Sequence, residues 1–177
     1  KGKDDPIYRK MYFRIKRLYP GVKLSIIQSA SELSNNPIIY GEGKTDWKHL
    51  KAALEYFKSK GKFVDLEVSF MNYEDTMKIN NTELLKICES LSKTKLHKTK
   101  IICLFDRDAK EINKKVCENG SNFKNWGNNI FSVLLPVPKH RSFDDICIEH
   151  YYSDTDLKIL DKKGRRLFLS DEFDKNT

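Results

Sequence analysis

Acidic residues follow two apolar segments of the chain, at positions where strands would end. In the stretch PIIYGEGKTDWKHL, Glu42 comes after an apolar tripeptide and Asp46 stands four residues later. In IICLFDRDAKE, Asp106 and Asp108 follow a five-residue apolar run. Because side chains alternate along an extended strand, Asp106 and Asp108 are expected to point to the same side. Two carboxylates so close repel each other, and Mg²⁺ would neutralise them because it prefers oxygen ligands.

The glycines around Glu42 raise the alternative of a nucleotide-binding loop. The Walker A motif needs G-x-x-x-x-G-K-[S/T], because its loop wraps backbone amides around the phosphates. The segment 43–45 supplies only the end of that motif, and Ile38 stands where the first glycine is required. We therefore reject a P-loop and expect the glycines to let the backbone turn sharply beside the acids.

A third group of charged residues follows the last predicted strand, in PVPKHRSFDDICIEHYY. Lys139 and Arg141 come first, and Glu149 lies eight residues beyond Arg141. Cations beside an acidic metal site suit a bound phosphodiester. A solvated basic loop is the alternative, and the sequence leaves both readings open.

The histidines and cysteines lack the paired spacing of a metal site. No C-x-x-C occurs, and cysteines beside apolar segments are typical of buried small side chains in a reducing compartment. We expect the histidines to be structural or exposed. The residues concerned are His49, His97, His150, Cys88, Cys103, Cys117 and Cys147.

The composition bounds the class of protein. A chain of 177 residues with 39% hydrophobic and 33% charged residues corresponds to one globular domain, or one domain with an appendage. No apolar run approaches the roughly 20 residues of a membrane span, so we expect a cytoplasmic protein without a membrane partner. The net charge of +8 is compatible with a polyanionic partner. Because the chain starts at Lys1 rather than Met, we expect further domains or partner subunits beyond it.

Strands and helices are predicted to alternate around these acids. The predicted strands are PIIYG, FVDLEVSF, KIICLFD and IFSVLLPVP, and the predicted helices cover about 45–60, NTELLKICESLS with Asn81 or Thr82 as N-cap, and more weakly 108–117. Residues 118–129 are predicted to be a loop rich in glycine and asparagine. DDICIEHYY is predicted to form a helical turn carrying Glu149.

This order predicts an α/β fold with a mainly parallel four-stranded core sheet and helices on both faces. Residues 1–22 are predicted to form an N-terminal helical segment that Pro20-Gly21 ends, and VKLSIIQSA a strand after it. The catalytic core is expected over 23–152. The C-terminal extension, 153–177, contains GRRLFLS as a candidate added strand.

The order of these motifs resembles the Toprim domain. That family has an acid after its first core strand, here YGEGKTD, and hydrophobic-D-x-D two strands later, here LFDRDA. Topoisomerases, primases, small ribosomal-RNA maturases and nucleases of the overcoming-lysogenization-defect (OLD) type share this module. The resemblance covers about residues 36–152 and implies phosphodiester chemistry on nucleic acid, with Mg²⁺ as cofactor and Mn²⁺ as its substitute. We favour DNA over RNA as the partner, although the sequence does not separate the two.

The resemblance also implies roles for individual residues. Glu42 matches the family glutamate, a general acid/base or metal ligand, and Asp106 and Asp108 match the Mg²⁺-binding pair. Asp46 completes the E-G-x-x-D pattern of the OLD-like branch, and Glu149 stands where that branch has a late glutamate for a second metal.

Lys139 or Arg141 matches the basic residue that the OLD-like branch uses near this glutamate. Topoisomerases, primases and maturases usually carry a glycine shortly after D-x-D, and DRDAKE has none. The resemblance therefore favours the OLD-like nuclease branch, as part of a larger defence or repair protein.

Two other functions stay open at the level of sequence. A Toprim-like fold without catalysis would act as a nucleic-acid or protein interaction module. A haloacid-dehalogenase-like phosphatase also has an apolar strand followed by D-x-D. Its motif normally lies near the amino terminus and continues with Thr or Val where Ala109 stands, which disfavours that reading.

Overall fold

The computed structural model describes residues 34–43, 45–71 and 79–167 and has an α/β architecture. Strands and helices alternate through most of this part of the chain, as the hydrophobic pattern predicts. In chain order the elements are β1 (Ile38–Tyr40), α1 (Asp46–Ser59), β2 (Ser69–Phe70), α2 (Asn81–Leu91), β3 (Ile101–Phe105), α3 (Lys110–Val116), β4 (Phe123–Gly127), β5 (Ile130–Leu134), a 3₁₀ helix (Ile148–Tyr151) and α4 (Asp154–Leu157).

The strands form one five-stranded sheet in the order β2-β1-β3-β5-β4. β2, β1, β3 and β5 are mutually parallel, and β4 runs antiparallel to β5. On the central strand β3, Ile101 is in register with Ile38 of β1 on one side and with Ile130 of β5 on the other. The carboxyl ends of β1, β3 and β5 therefore lie along the same edge of the sheet.

Apolar side chains cover both faces of β3. Ile101, Cys103 and Phe105 are fully buried on one face, in the cluster that also contains the apolar residues of α2 and Val116 of α3. On the other face, Leu104 packs against a second cluster. That second cluster consists of Leu135, Ile146 and Ile148, with Leu50 of α1 and Val137 against it. The prediction of helices on both faces is thus confirmed.

The helix predicted over 45–60 is confirmed as α1, but its apolar face is only partly covered. None of its residues is buried within the described part of the chain. Tyr56 is 60% exposed, although it lies in ring contact with Phe57. α1 therefore touches the sheet mainly near its first turns, where it begins with Asp46.

The strand predicted for FVDLEVSF is mostly wrong. Only Ser69–Phe70 is extended, in register with two residues of β1. Phe63 has a positive φ of 54°, and its carbonyl accepts a hydrogen bond from Leu66 N at 3.0 Å. Since β1 has only three residues, the partner strand has little backbone to pair with, and the preceding residues turn instead.

The loop predicted over 118–129 contains β4, so the four-stranded sheet becomes five-stranded. Asn128 and Asn129 have positive φ angles of 50° and 65° and form a two-residue hairpin turn into β5. Such turns favour asparagine because it tolerates the left-handed region. Trp126 Nε1 donates to Ser132 Oγ at 2.8 Å across the hairpin. The two asparagines after FKNWG are the sequence signal for this hairpin, which the prediction of a loop overlooked.

Several sequence predictions fall outside the described residues. These are the N-terminal helix over 1–22, the strand VKLSIIQSA, and the last three residues of GRRLFLS, while 164–167 are not in a strand. No helix in the three described ranges is long and apolar enough to cross a membrane.

The N-cap of α2 is Asn80, one residue before the predicted Asn81. The Asn80 side chain accepts from Glu83 N at 2.9 Å, and a Glu83 carboxylate oxygen accepts from Asn80 N at 3.3 Å. This reciprocal pair is a capping box, which satisfies amides that the first helical turn leaves unpaired.

We predict that Asn80→Ala lowers the free energy of unfolding by about 1 kcal/mol, because the amide of Glu83 loses its acceptor. Asn81→Ala is the matched control and should change it by only a few tenths of a kcal/mol, since Asn81 lies inside the helix. Urea denaturation followed by circular dichroism measures both. Equal losses in the two variants would contradict the assignment of the cap.

Candidate metal centre

Glu42 and Asp106 meet where two neighbouring strands end. Tyr40 at the end of β1 is in register with Cys103 of β3, so both chains leave the sheet side by side. A carboxylate oxygen of Glu42, Oε1, accepts a hydrogen bond from Asp106 N at 3.0 Å. This bond joins residues 64 positions apart in the chain and fixes Glu42 over the end of β3.

Asp46 packs against the glycines of the β1–α1 turn. A Cβ atom on Gly41 would lie 2.9 Å from Asp46 Cβ and 3.0 Å from its Oδ2. Gly43 has a φ of 98°, and a Cβ there would lie 3.3 Å from Asp46 Oδ1. Gly41 is therefore favoured because a larger residue would collide with Asp46, and Gly43 because its positive φ is rarely adopted by other residues. The glycines let the chain turn tightly enough to bring Asp46 back to the strand end.

Asp106 lies in the field of all four other candidate acids. Burial is the largest cause that raises its pKa, and the charges of Asp46, Glu42, Asp108 and Glu149 add to it. Together they raise the pKa of Asp106 from 3.8 to about 8. The structure thus places the four other acids that the sequence picked out close enough for their charges to act on Asp106. Glu42 follows β1, and Asp106 and Asp108 follow β3. Asp46 is the first residue of α1, and Glu149 lies in the 3₁₀ helix.

Glu42 and Asp46 are perturbed by the same crowding. Burial, with the charges of Asp108 and Asp46, raises the pKa of Glu42 from 4.5 to about 7 despite the opposing hydrogen bond from Asp106 N. Burial and the charge of Glu149 raise the pKa of Asp46. Ionising Glu42, Asp46 and Asp106 together is therefore unfavourable while no cation is bound.

The donor chemistry of this cluster fits a hard divalent cation. Carboxylate oxygens are the ligands that Mg²⁺ and Mn²⁺ prefer, and a cation would relieve the mutual repulsion. Within the described ranges, however, no three His, Cys, Asp or Glu side chains converge closely enough to chelate an ion as they stand.

The two basic candidates differ in their surroundings. Lys139 is exposed in the turn after β5. Arg141 is engaged: its guanidinium donates to His150 O at 3.0 Å, to Tyr152 O at 2.7 Å and to Asp154 Oδ1 at 2.6 Å. With 9% of its side chain exposed, Arg141 has little surface to offer a phosphate.

His49 is a neighbour of the site that sequence reasoning placed among the structural or exposed histidines. It lies one helical turn after Asp46. Its charge partly opposes the rise in the pKa of the Asp46 carboxyl that burial and Glu149 cause. Its Nδ1 shares a hydrogen bond with Tyr152 Oη at 2.8 Å, and the two rings meet edge to face at 5.5 Å. The i, i+3 spacing from Asp46 was the available signal, since such residues share a helix face.

Cys147 and His150 border Glu149. Burial, with a hydrogen bond to Glu149 and its charge, raises the pKa of the Cys147 thiol to about 12. Nδ1 of His150 accepts from Cys147 N at 2.9 Å. A thiol so strongly held in its protonated form does not act as a nucleophile. All four cysteines are free thiols. Cys88 and Cys103 are buried as predicted, whereas Cys117 and Cys147 are only partly buried.

Comparison with protein-family models, curated proteins and solved structures finds nothing that matches the chain. The chemistry of the site therefore has to be argued from its own residues.

We predict that the metal-free protein loses stability as the pH rises from about 4 to about 8. Glu42 and Asp106 have folded-state pKa values above their ordinary ones, so their stabilising contribution is complete below pH 4 and disappears as they ionise in the folded state. Melting temperatures measured in EDTA across this range test the slope. Because other groups titrate in the same pH range, the test compares the slope of the wild type with the slopes of two variants.

Asp106→Asn should flatten that slope, because an amide does not ionise. Asp65→Asn, at an exposed aspartate in the turn after α1, is the control and should leave the slope unchanged. An unaltered slope in Asp106→Asn would contradict the electrostatic coupling described here.

Proposed function

We propose that the chain is an Mg²⁺-dependent phosphodiesterase domain that cleaves nucleic acid. The observation that carries this proposal is the group of acids at the carboxyl edge of the parallel strands, where Glu42 accepts from Asp106 N and the charges of four carboxylates act on Asp106. Open α/β sheets bind their ligands at this edge, and carboxylate clusters there hold divalent ions for phosphate chemistry. Phosphatases without a nucleic-acid substrate use similar acids, so the substrate is tested separately below.

In this proposal the acids divide into two sets. Asp106, Asp108 and Glu42 hold one cation, and Asp46 and Glu149 complete a second site. When bound, the cations would lower the pKa of an attacking water and stabilise charge on the departing oxygen. Water adds to phosphorus, one P–O bond breaks, and the water proton ends on the departing oxygen.

Nucleic acid is proposed as the substrate for two reasons. The net charge of +8 favours a polyanion, and Lys139 is exposed one residue before His140, which contacts His150 O at 3.1 Å in the segment that carries Glu149. The motif order resembles that of Toprim nucleases of the OLD-like branch, and an α/β fold with a mainly parallel sheet is compatible with that family. On this basis we propose DNA rather than RNA, within a larger defence or repair protein.

We predict that Asp108→Asn abolishes Mg²⁺-dependent cleavage, with a loss of at least about 100-fold, because even outer-shell partners of metal ligands cost 10- to 100-fold. The assay uses labelled single- and double-stranded DNA and RNA with Mg²⁺, Mn²⁺ or EDTA. Asp108 is exposed, so the variant should keep its circular dichroism spectrum, and its melting temperature in EDTA should be no lower than that of the wild type, because one repelling charge is removed.

Glu111→Gln is the matched control, because Glu111 is an exposed acid on the adjacent α3 that pairs with Lys114. It should cleave at the wild-type rate. Undiminished cleavage by Asp108→Asn would overturn the proposal. Covalent phosphate trapped on Asp106 would instead indicate a phosphatase of the haloacid-dehalogenase type.

A binding module without catalysis is the second candidate. It is favoured by one observation, that no three ligating side chains in the described ranges already converge. Such a module need show no saturable metal site, whereas the proposed enzyme must.

Calorimetric titration with Mn²⁺ separates the two candidates. We expect saturable binding by the wild type and at least about tenfold weaker binding by Glu42→Gln, because that variant loses a ligand charge. Glu111→Gln should bind as the wild type does. Nucleic-acid binding without saturable Mn²⁺ binding would favour the interaction module.

A further inference from the structure

Glu149 reaches the acidic cluster from a short segment rather than from a strand end. It lies in a four-residue 3₁₀ helix, 15 residues after the end of β5. Such a helix has few internal hydrogen bonds, so its position depends on what its backbone and side chains contact. The contacts of this segment therefore determine where the Glu149 carboxylate lies.

Arg141 makes three hydrogen bonds to this segment and the residues after it with one side chain, and His140 Nε2 shares the same acceptor, His150 O, at 3.1 Å. The guanidinium donates to the carbonyl oxygens of His150 and Tyr152, one and three residues after Glu149, and pairs with Asp154 at the start of α4. These three bonds span both the end of the 3₁₀ helix and the following turn. The planar fork of arginine suits several acceptors at once, which the single ammonium of lysine does not match.

Further contacts attach the same segment to the rest of the site. Tyr152 Oη shares a hydrogen bond with His49 of α1, the helix that begins with Asp46. Tyr151 Oη donates to Pro136 O at 2.6 Å. Upstream, Ile146 O accepts from Arg107 N at 2.7 Å, which lies between Asp106 and Asp108. The segment is thus fixed to α1, to the chain after β5 and to the D-x-D turn.

We infer that Arg141 is a positioning residue that holds Glu149 at the acidic cluster, and that it is not a cation for substrate phosphate. The inference rests on the proposed metal-dependent function and deepens it. Lys139, which is exposed, is then the basic residue left to face a phosphate. The sequence could not separate these two residues, because both follow β5 and both carry a positive charge.

The experiment is Mn²⁺ titration by calorimetry on the full chain, without nucleic acid. Wild type, Arg141→Lys, Arg141→Gln and Glu149→Gln are compared. We expect both Arg141 variants to weaken the weaker Mn²⁺ site by about tenfold or more, as loss of an outer-shell partner does. A phosphate-binding arginine would leave metal binding unchanged in both variants, and that result would overturn the inference.

A double-mutant cycle tests whether Arg141 acts through Glu149. The variant Arg141→Gln/Glu149→Gln should bind Mn²⁺ no more weakly than Glu149→Gln alone, because the positioning residue has nothing left to position. Additive losses would overturn the inference. Arg165→Gln is the matched control, because Arg165 pairs with Asp161 in an exposed turn, and it should bind Mn²⁺ as the wild type does.

Circular dichroism shows whether each variant is folded. If Arg141→Gln fails to fold, Arg141→Lys and Asp154→Asn carry the test. Asp154→Asn weakens one of the three bonds and should weaken Mn²⁺ binding in the same direction by less. Unchanged binding in both would overturn the inference. If the wild type does not bind Mn²⁺, the proposed function and this inference are both overturned. If the wild type binds Mn²⁺ and the Arg141 variants bind it equally well, only the inference is overturned.

Discussion

Repulsion among carboxylates at the carboxyl edge of β1 and β3 is the constraint on which the site depends. The hydrogen bond from Asp106 N to Glu42 fixes the centre of the cluster, and the other acids approach from α1, the D-x-D turn and the 3₁₀ helix. Burial and like charge both raise the pKa values of Glu42 and Asp106. A fold that keeps these groups together does so against their electrostatic preference, and such perturbed carboxyl groups concentrate at functional sites.

The buried sheet supplies the rigidity that this arrangement requires. β3 lies between β1 and β5, and its fully buried residues pack on α2 and α3. On the opposite face, Leu104 contacts the cluster that contains Ile146 and Ile148, so the chain leading to Glu149 is anchored in the same core. The five acids are therefore attached to one packed body, and a bound cation would find its ligands on supported backbone.

The parallel core and its acids were predictable because each is a local pattern. Apolar runs of strand length specified β1, β3 and β5, and acids directly after such runs must lie at one edge if the strands are parallel. The predictions that were wrong concern segments in which a neighbouring strand decides whether the chain is extended. FVDLEVSF alternates like a strand, but the short β1 offers partners to only two of its residues. Conversely, FKNWG is polar, yet β5 and the two asparagines make it a strand.

The sequence by itself determined which side chains are available for chemistry: five acids, two basic residues, and glycines where the chain must turn. Only the tertiary structure decided which of them act on each other. Arg141 and Lys139 look equivalent along the chain, but folding buries one guanidinium against two carbonyl oxygens and a carboxylate and leaves the other residue exposed. His49 likewise becomes a neighbour of the site through Tyr152, 103 residues away. Side-chain type is a local property, whereas burial, pKa and hydrogen-bond partners depend on contacts that exist only after the chain has folded.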